Sequence, residues 1–74
     1  MSLTLFHTQG CHLCEEAQAL LAACQVQAAL VDIVTDPQLV ARYGERIPVL
    51  MNHQGQELGW PFDMELLNAF LWQS

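Results

Sequence analysis

A Cys-x-x-Cys pair lies where an apolar strand gives way to a helical pattern. Cys11 and Cys14 come directly after Gly10, and apolar residues then recur at helical spacing. At the first turn of a helix, the leading sulfur lies beside unpaired backbone N–H groups and the positive end of the helix dipole, which favour thiolate over thiol. Because the thiolate is the reactive form, the pattern indicates a redox-active dithiol more than a metal site.

The first half of the chain has a βαβ pattern. Residues 3–6 form an apolar run, which predicts a short buried strand. Residues 12–24 predict an amphipathic helix, and residues 28–34, which are apolar except for Asp32, predict a second strand buried on both faces. The apolar positions of the helix are Leu13, Ala17, Leu20, Leu21 and Cys24.

The second half predicts a short helix, a β-hairpin and a last helix. Asp36-Pro37 is a helix start and Gly44 a stop, which predicts about two turns between them. Residues 48–51 and 56–59 flank a polar turn that ends at Gly55. The last helix is predicted to open at Trp60-Pro61, with Asp63 and Glu65 in its first turn. Its residues available to cover a sheet are Phe62, Leu66, Leu67, Phe70 and Leu71, and the short helix offers Leu39, Val40 and Tyr43.

The composition predicts one globular domain over residues 1–74. Hydrophobic residues make up 53% of the chain and charged residues 14%, which supplies enough apolar surface for a core and argues against disorder. The net charge is −6, and Arg42 and Arg46 are the only cations. This charge opposes electrostatic binding to phosphate backbones, and we expect no nucleic acid partner.

The amino terminus has neither a basic region nor a long apolar run, and no stretch of the chain approaches the length that spans a bilayer. Three cysteines are an odd number and too few for a secreted disulfide framework. These features predict a soluble, cytoplasmic protein without membrane contact, and we expect a monomer.

Five segments together carry a resemblance to a known family. They are residues 3–6, 10–16, 31–33, 43–50 and 57–60. On these segments the chain resembles the small bacterial glutaredoxin-like family of the thioredoxin-fold superfamily. The resemblance implies an α/β fold of order β-α-β-α-β-β-α, in which helices flank a four-stranded mixed sheet. It also implies that the first two strands are parallel and that the hairpin strands are antiparallel to them.

The implied activity is thiol–disulfide exchange, the reduction of protein or glutathione mixed disulfides through a mixed-disulfide intermediate. Cys11, outermost at the helix start, is expected to attack, and Cys14, one turn further in, to resolve. The helix terminus and a protonated His12 or His7 favour the Cys11 thiolate, whereas the carboxylates at positions 15 and 16 oppose it, so we expect modest activation. His12 is alternatively a solvated helix-start residue.

The resemblance also implies a substrate groove. Pro48 would follow a cis peptide bond beside the cysteines, leaving the backbone of Ile47 free to bind an extended thiol substrate. The alternative is that Pro48 merely starts an edge strand. Gly59 and Trp60 stand where glutaredoxins have a glycine pair that helps to hold glutathione, and Asp63 matches the acidic position beyond it.

Two departures bear on glutathione. The basic residue often found before the cysteines in glutaredoxins is Thr8 or Gln9 here, and an indole replaces the second glycine. Arg46 is a candidate for the missing charge, with a solvated arginine as the alternative. No cofactor is expected to be required. Glutathione remains a candidate reductant or ligand, and a thioredoxin-type reductase is a candidate partner.

Metal binding is the first rival hypothesis, because Cys-x-x-Cys is also zinc-ligand spacing. His7 and His12 could complete a cramped set of ligands with the two cysteines. Cys24 is about 15 Å of helix away from Cys14 and is expected to pack in the core. An iron–sulfur cluster shared between two copies is a further alternative, suggested by some glutaredoxins.

The second rival is a non-enzymatic interaction module on the same fold. Trp60, Phe62 and Trp72 could form an apolar docking patch. Aromatic residues on a terminal helix more often belong to the core than to a binding surface.

Overall fold

A computed structural model describes residues 3–73 as a four-stranded sheet with three α-helices. The elements are β1 (Thr4–His7), α1 (His12–Ala23), β2 (Ala29–Asp32), α2 (Pro37–Tyr43), β3 (Val49–Met51), β4 (Glu57–Gly59) and α3 (Met64–Gln73). The predicted element order is confirmed, with one addition, a 3-10 turn over Ile33–Thr35 after β2. Residues 1, 2 and 74 of the predicted domain lie outside the described residues.

The strand order is β2-β1-β3-β4, and the sheet is mixed as expected. β1 pairs in parallel with β2 and antiparallel with β3, and β3 pairs antiparallel with β4. The expectation that both hairpin strands oppose β1 is correct for β3 only, because β4, antiparallel to β3, runs in the direction of β1. Pro48 precedes a strand with neighbours on both sides, so the edge-strand alternative for this residue is wrong.

β2 is an edge strand, and the prediction that it is buried on both faces is wrong. Ala29 is exposed and 52% of Leu30 is accessible. Val34, predicted to continue the strand, lies in the 3-10 turn and is 64% exposed. The apolar run predicts a strand from its local composition, whereas its position in the sheet depends on pairing with distant segments.

Alternating side chains of the central strands point to opposite faces of the sheet. Leu5 and Leu50 belong to one cluster, and Phe6 and Val49, their neighbours in sequence, belong to the other. The α1–α3 cluster consists of Leu5, Ala17, Leu21, Leu50, Phe62, Leu67 and Phe70. The α2 cluster consists of Phe6, Ile33, Tyr43 and Val49.

α1 turns a narrower face to the core than its sequence predicts. Ala17 and Leu21 are buried, and Leu20 and Cys24 pack partly against the α1–α3 cluster, as expected. Leu13 is 45% exposed, so its assignment to the apolar stripe is wrong. The buried residues of α1 are Cys14, Ala17 and Leu21, and Leu13 lies at the margin of the face that they form.

The ends of α2 are as predicted. The Asp36 carboxylate accepts the backbone N–H of Gln38 at 2.9 Å, and Pro37 occupies the first helical position. A Cβ on Gly44 would lie 2.6 Å from the carbonyl oxygen of Val40, so close approach rather than a left-handed conformation favours glycine there. Val40, assigned to the buried stripe, is instead 44% exposed.

α3 begins later than predicted. The Asp63 carboxylate accepts the backbone N–H of Leu66 at 2.8 Å, which makes Asp63 the residue that caps the helix rather than part of its first turn. The Trp60–Pro61 segment, predicted to open the helix, precedes this cap. Leu66 is 51% exposed and does not cover the sheet, whereas Leu67 is fully buried.

The hairpin turn is organised by a buried asparagine. The Asn52 side-chain oxygen accepts the backbone N–H groups of Gln54 and Gln56 at 2.9 and 3.0 Å. Gly55 has φ +83°, the left-handed conformation expected of a glycine in this turn. None of the helices within residues 3–73 has the length and apolar content that crossing a membrane would need.

Candidate functional site

Cys11 and Cys14 form a disulfide at the amino-terminal end of α1. Gly10, at φ +77°, turns the chain from the end of β1 into this helix. Cys11 has extended backbone angles and acts as the helix cap, because its sulfur accepts the backbone N–H of Cys14 at 3.1 Å. The predicted position of the pair, at the start of a helix that follows a strand, is therefore observed.

The two sulfur-bearing residues differ in exposure. Cys14 is 1% exposed, whereas Cys11 is partly accessible. Such asymmetry lets an external thiol or disulfide reach Cys11 and shields Cys14. Cys24 is the free cysteine of the described residues, and it packs partly against the α1–α3 cluster at the opposite end of the helix.

The strand register brings the predicted groove residues to the cysteine end of the sheet. Phe6 is paired with Val49, so the loop after β1 and the segment before β3 lie at the same end. That segment is Ile47–Pro48, and its peptide bond is cis. Val49 is also paired with Gly59, which ends β4, and the N–H of Trp60 donates to the carbonyl oxygen of Pro48 at 3.2 Å.

Two residues predicted to bind substrate have structural contacts of their own. The Trp60 ring packs edge-on against Phe62, with centroids 5.0 Å apart, and joins the α1–α3 cluster. Asp63 caps α3 through one carboxylate oxygen. Gly59 differs from both, because a Cβ built on it would meet no atom within 4 Å, which leaves open space above this residue.

His12 points into solvent. Its side chain is 85% exposed, and Nε2 lies 3.8 Å from a carboxylate oxygen of Glu16 one turn later. A contact between two exposed groups at this distance contributes little to stability.

A cluster of polar side chains lies on the α2 face of the sheet, and the sequence did not predict it. The Tyr43 hydroxyl donates to the carboxylate of Glu57, which joins α2 to β4. Arg46 and Arg42 place guanidinium nitrogens 3.3 and 3.8 Å from the two oxygens of the same carboxylate. Both guanidinium groups also lie over the Tyr43 ring, 5.7 and 5.4 Å from its centroid, and the ring in turn stacks on Phe6.

These contacts shift the pKa values of Glu57 and Tyr43 in opposite directions. The hydrogen bond from Tyr43, together with the guanidinium of Arg46, lowers the pKa of Glu57 against the opposing effect of burial. Burial, with the hydrogen bond to Glu57, raises the pKa of Tyr43. Arg46, suggested as a charge near the cysteines, instead pairs with Glu57. The hydrogen bond spans 14 positions, which no helical or strand period would reveal.

Within residues 3–73, no three histidine, cysteine or acidic side chains are arranged to hold a metal ion. The cramped set proposed from Cys11, Cys14, His7 and His12 is thus not brought together.

Comparisons with known proteins agree with this geometry. The crystal structure of XcR50 from X. campestris is 42% identical, with a TM-score of 0.90 over 99% of this chain and 99% of that chain. The solution structure of the same protein gives 43% identity and a TM-score of 0.89 over 100% and 96%.

A solution structure of protein Ne2328 from Nitrosomonas europaea is 29% identical, with a TM-score of 0.79 over 93% of this chain and 88% of that chain. None of the curated proteins matches the chain. The family model described as "Glutaredoxin-like domain (DUF836)" matches residues 2–72. The chain therefore belongs to this family of glutaredoxin-like domains.

Proposed function

We propose that the protein is a thiol–disulfide oxidoreductase that uses Cys11 and Cys14 as its dithiol. The observation that carries the proposal is the unequal exposure of the bonded pair, with Cys11 partly accessible and Cys14 1% exposed. Exchange needs an accessible sulfur that attacks and a neighbouring sulfur that displaces what has been captured. The arrangement supports both roles.

The proposed reaction transfers two electrons to the substrate. The Cys11 thiolate attacks one sulfur of a substrate disulfide, forms a mixed disulfide and releases the other substrate sulfur as a thiolate. The Cys14 thiolate then attacks the Cys11 sulfur, which releases the second substrate thiol and leaves the Cys11–Cys14 disulfide. Two molecules of glutathione, which leave as one glutathione disulfide, or a thioredoxin-type reductase are the reductants proposed to restore the dithiol.

The surroundings of Cys11 support a moderately activated thiolate. The backbone N–H of Cys14 is directed at the Cys11 sulfur, and the helix terminus adds a partial positive charge. Glu15 and Glu16 follow within about a turn and oppose a negative charge on that sulfur.

The Ile47–Pro48 segment is the proposed substrate groove. It lies at the cysteine end of the sheet, between the end of β1 and the end of β4. The space above Gly59 supports an extended substrate there. We expect the backbone of Ile47 to bind this substrate, and His12 to contribute at the rim, where it is exposed. A monomeric state and a cytoplasmic location stay predictions.

Serine variants of the three cysteines test the roles. With a fluorescent mixed-disulfide substrate, Cys11→Ser should abolish reduction, whereas Cys14→Ser should accumulate a mixed disulfide on Cys11 that mass spectrometry detects. Cys24→Ser is the matched control and should retain the rate.

Three results would contradict the proposal. They are full activity of the Cys11→Ser variant, no trapped adduct on the Cys14→Ser variant, and one zinc ion per chain in protein purified without a chelator.

A further inference from the structure

Both cationic side chains of the protein are held by one carboxylate on the α2 face. Arg42 and Arg46 are the only arginine or lysine residues of the sequence, and both contact Glu57. Glu57 begins β4 opposite Met51, whereas the cysteine loop lies at the other end of the sheet, beyond Gly59. Arg46 precedes the Ile47–Pro48 segment in sequence, yet its guanidinium is directed to Glu57 and away from this end.

The acidic residues Glu15 and Glu16 follow Cys11 on the first turns of α1, and both are exposed. Glu15 lies one turn along α1, where its backbone N–H donates to the Cys11 carbonyl oxygen at 3.2 Å. Glu16 is exposed on the next position and faces His12. Asp32 is in register with His7, the residue from which the chain leaves β1 toward the cysteines. A substrate that approaches Cys11 therefore meets negative charge.

Building on the proposed function, we propose that the dithiol selects protein disulfides flanked by basic residues and disfavours anionic disulfides such as that of glutathione. Charges within about 8–10 Å interact without full screening at physiological salt, and this range covers substrate residues next to the reacting sulfur. Electrostatic complementarity of this kind acts mainly on the rate of association. The electron transfer itself is unchanged: two electrons pass from the dithiol to the substrate disulfide, which leaves as two thiols.

Matched peptide substrates provide the test. Reduced protein is mixed with a disulfide-linked peptide whose cysteine is flanked by lysines, with the same peptide flanked by glutamates, and with glutathione disulfide. Each rate is divided by the rate of dithiothreitol with the same substrate, which removes intrinsic differences in disulfide reactivity. Measurements at about pH 8 keep histidine side chains ordinarily neutral.

We expect the normalised rate with the lysine peptide to exceed the rates with both anionic substrates on the order of tenfold at low ionic strength. Raising the salt concentration to about 0.5 M should remove most of this preference, because the screening length then falls to a few ångströms.

Two variants that each raise the net charge by one show which part of the protein causes the preference for the lysine peptide. Glu15→Gln removes one negative charge beside Cys11 and should reduce the preference about twofold. Gln54→Lys changes the net charge by the same amount in the hairpin turn at the opposite end of the sheet, where Gln54 is exposed. This control should leave the preference unchanged.

Each contrary result is distinct. Equal normalised rates, or faster reduction of the anionic substrates, would overturn the inferred selectivity while leaving thiol–disulfide exchange intact. A preference that Gln54→Lys lowers as much as Glu15→Gln would overturn its assignment to the carboxylates near Cys11. If none of the three disulfides is reduced, the proposed function fails and the inference fails with it.

Discussion

One face of the sheet is covered by α1 and α3 and the other by α2, and the two contacts differ in chemistry. The α1–α3 cluster is entirely apolar, with Leu5, Leu50 and Leu67 fully buried. The α2 cluster is smaller and ends in a polar arrangement in which Tyr43 and two arginines meet Glu57. The α1–α3 face is stabilised by burial of apolar surface. The α2 face is stabilised in addition by a directional hydrogen bond between the short helix α2 and the edge strand β4.

The two faces differ because the helices that cover them differ in length. Two helices of 12 and 10 residues bring enough apolar side chains to fill one side of the sheet. α2 has seven residues and buries Tyr43 among them, so its docking depends on few contacts. A hydrogen bond to a carboxylate is directional and stronger than one between neutral groups, and it fixes where the short helix lies.

The largest expected effect is the loss of packing on the apolar face. Leu67→Ala should lower the free energy of unfolding by about 3 kcal/mol, because Leu67 is fully buried and its truncation leaves a cavity. Leu66→Ala is the control on the neighbouring residue of the same helix, which is 51% exposed, and it should cost less than about 1 kcal/mol. Urea unfolding followed by tryptophan fluorescence measures both. Equal losses for the two leucines would contradict the packing of α3.

A smaller effect is expected on the α2 face. Glu57→Gln should lower the free energy of unfolding by about 1–2 kcal/mol at neutral pH, because it weakens a charge-assisted hydrogen bond from Tyr43. The two arginine side chains are 69% and 53% exposed, so their ion pairs add little. Glu45→Gln removes an exposed carboxylate in the turn after α2 and serves as the control.

The stability lost in the Glu57→Gln variant should depend on pH, which tests the polar contacts of the α2 face separately from the apolar face. The folded-state pKa of Glu57 lies below its ordinary value of 4.5, so its contribution is complete above that value and is lost as the pH falls through the folded pKa. The stability difference between the parent protein and Glu57→Gln should therefore shrink between about pH 5 and pH 3. A difference that stays constant or grows over this range would show that the carboxylate is not stabilised in the folded state.

Signals confined to a few neighbouring residues were sufficient for much of the fold. Asp36 and Pro37 start α2 through a cap, and Gly55 adopts the turn conformation expected of it. The position of the cysteine pair follows from the strand and helix on either side, which are also local patterns.

Features that depend on contacts between residues far apart in the chain could not be predicted from such local signals. The edge position of β2 depends on strand order, and the tie between Tyr43 and Glu57 depends on the register of β3 with β4. For α3 the sequence offers two start signals, the Trp60-Pro61 segment and Asp63. The Asp63 carboxylate is the one that caps the helix. Cys11 is more accessible than Cys14, which is the difference in exposure expected at the helix start, but the sequence could not show that Leu13 between them is exposed.

The smallest expected effect concerns Leu13, an apolar residue that belongs to neither cluster. It is 45% exposed on the first turn of α1, between the two cysteines. Leu13→Gln should change the free energy of unfolding by less than about 0.5 kcal/mol, because glutamine has a similar helix propensity and little buried surface is lost. Urea unfolding of the oxidised protein gives this value. A loss above about 2 kcal/mol would mean that the first turn is packed like the buried face of α1, and Cys11 would then be less accessible than the proposed exchange reaction needs.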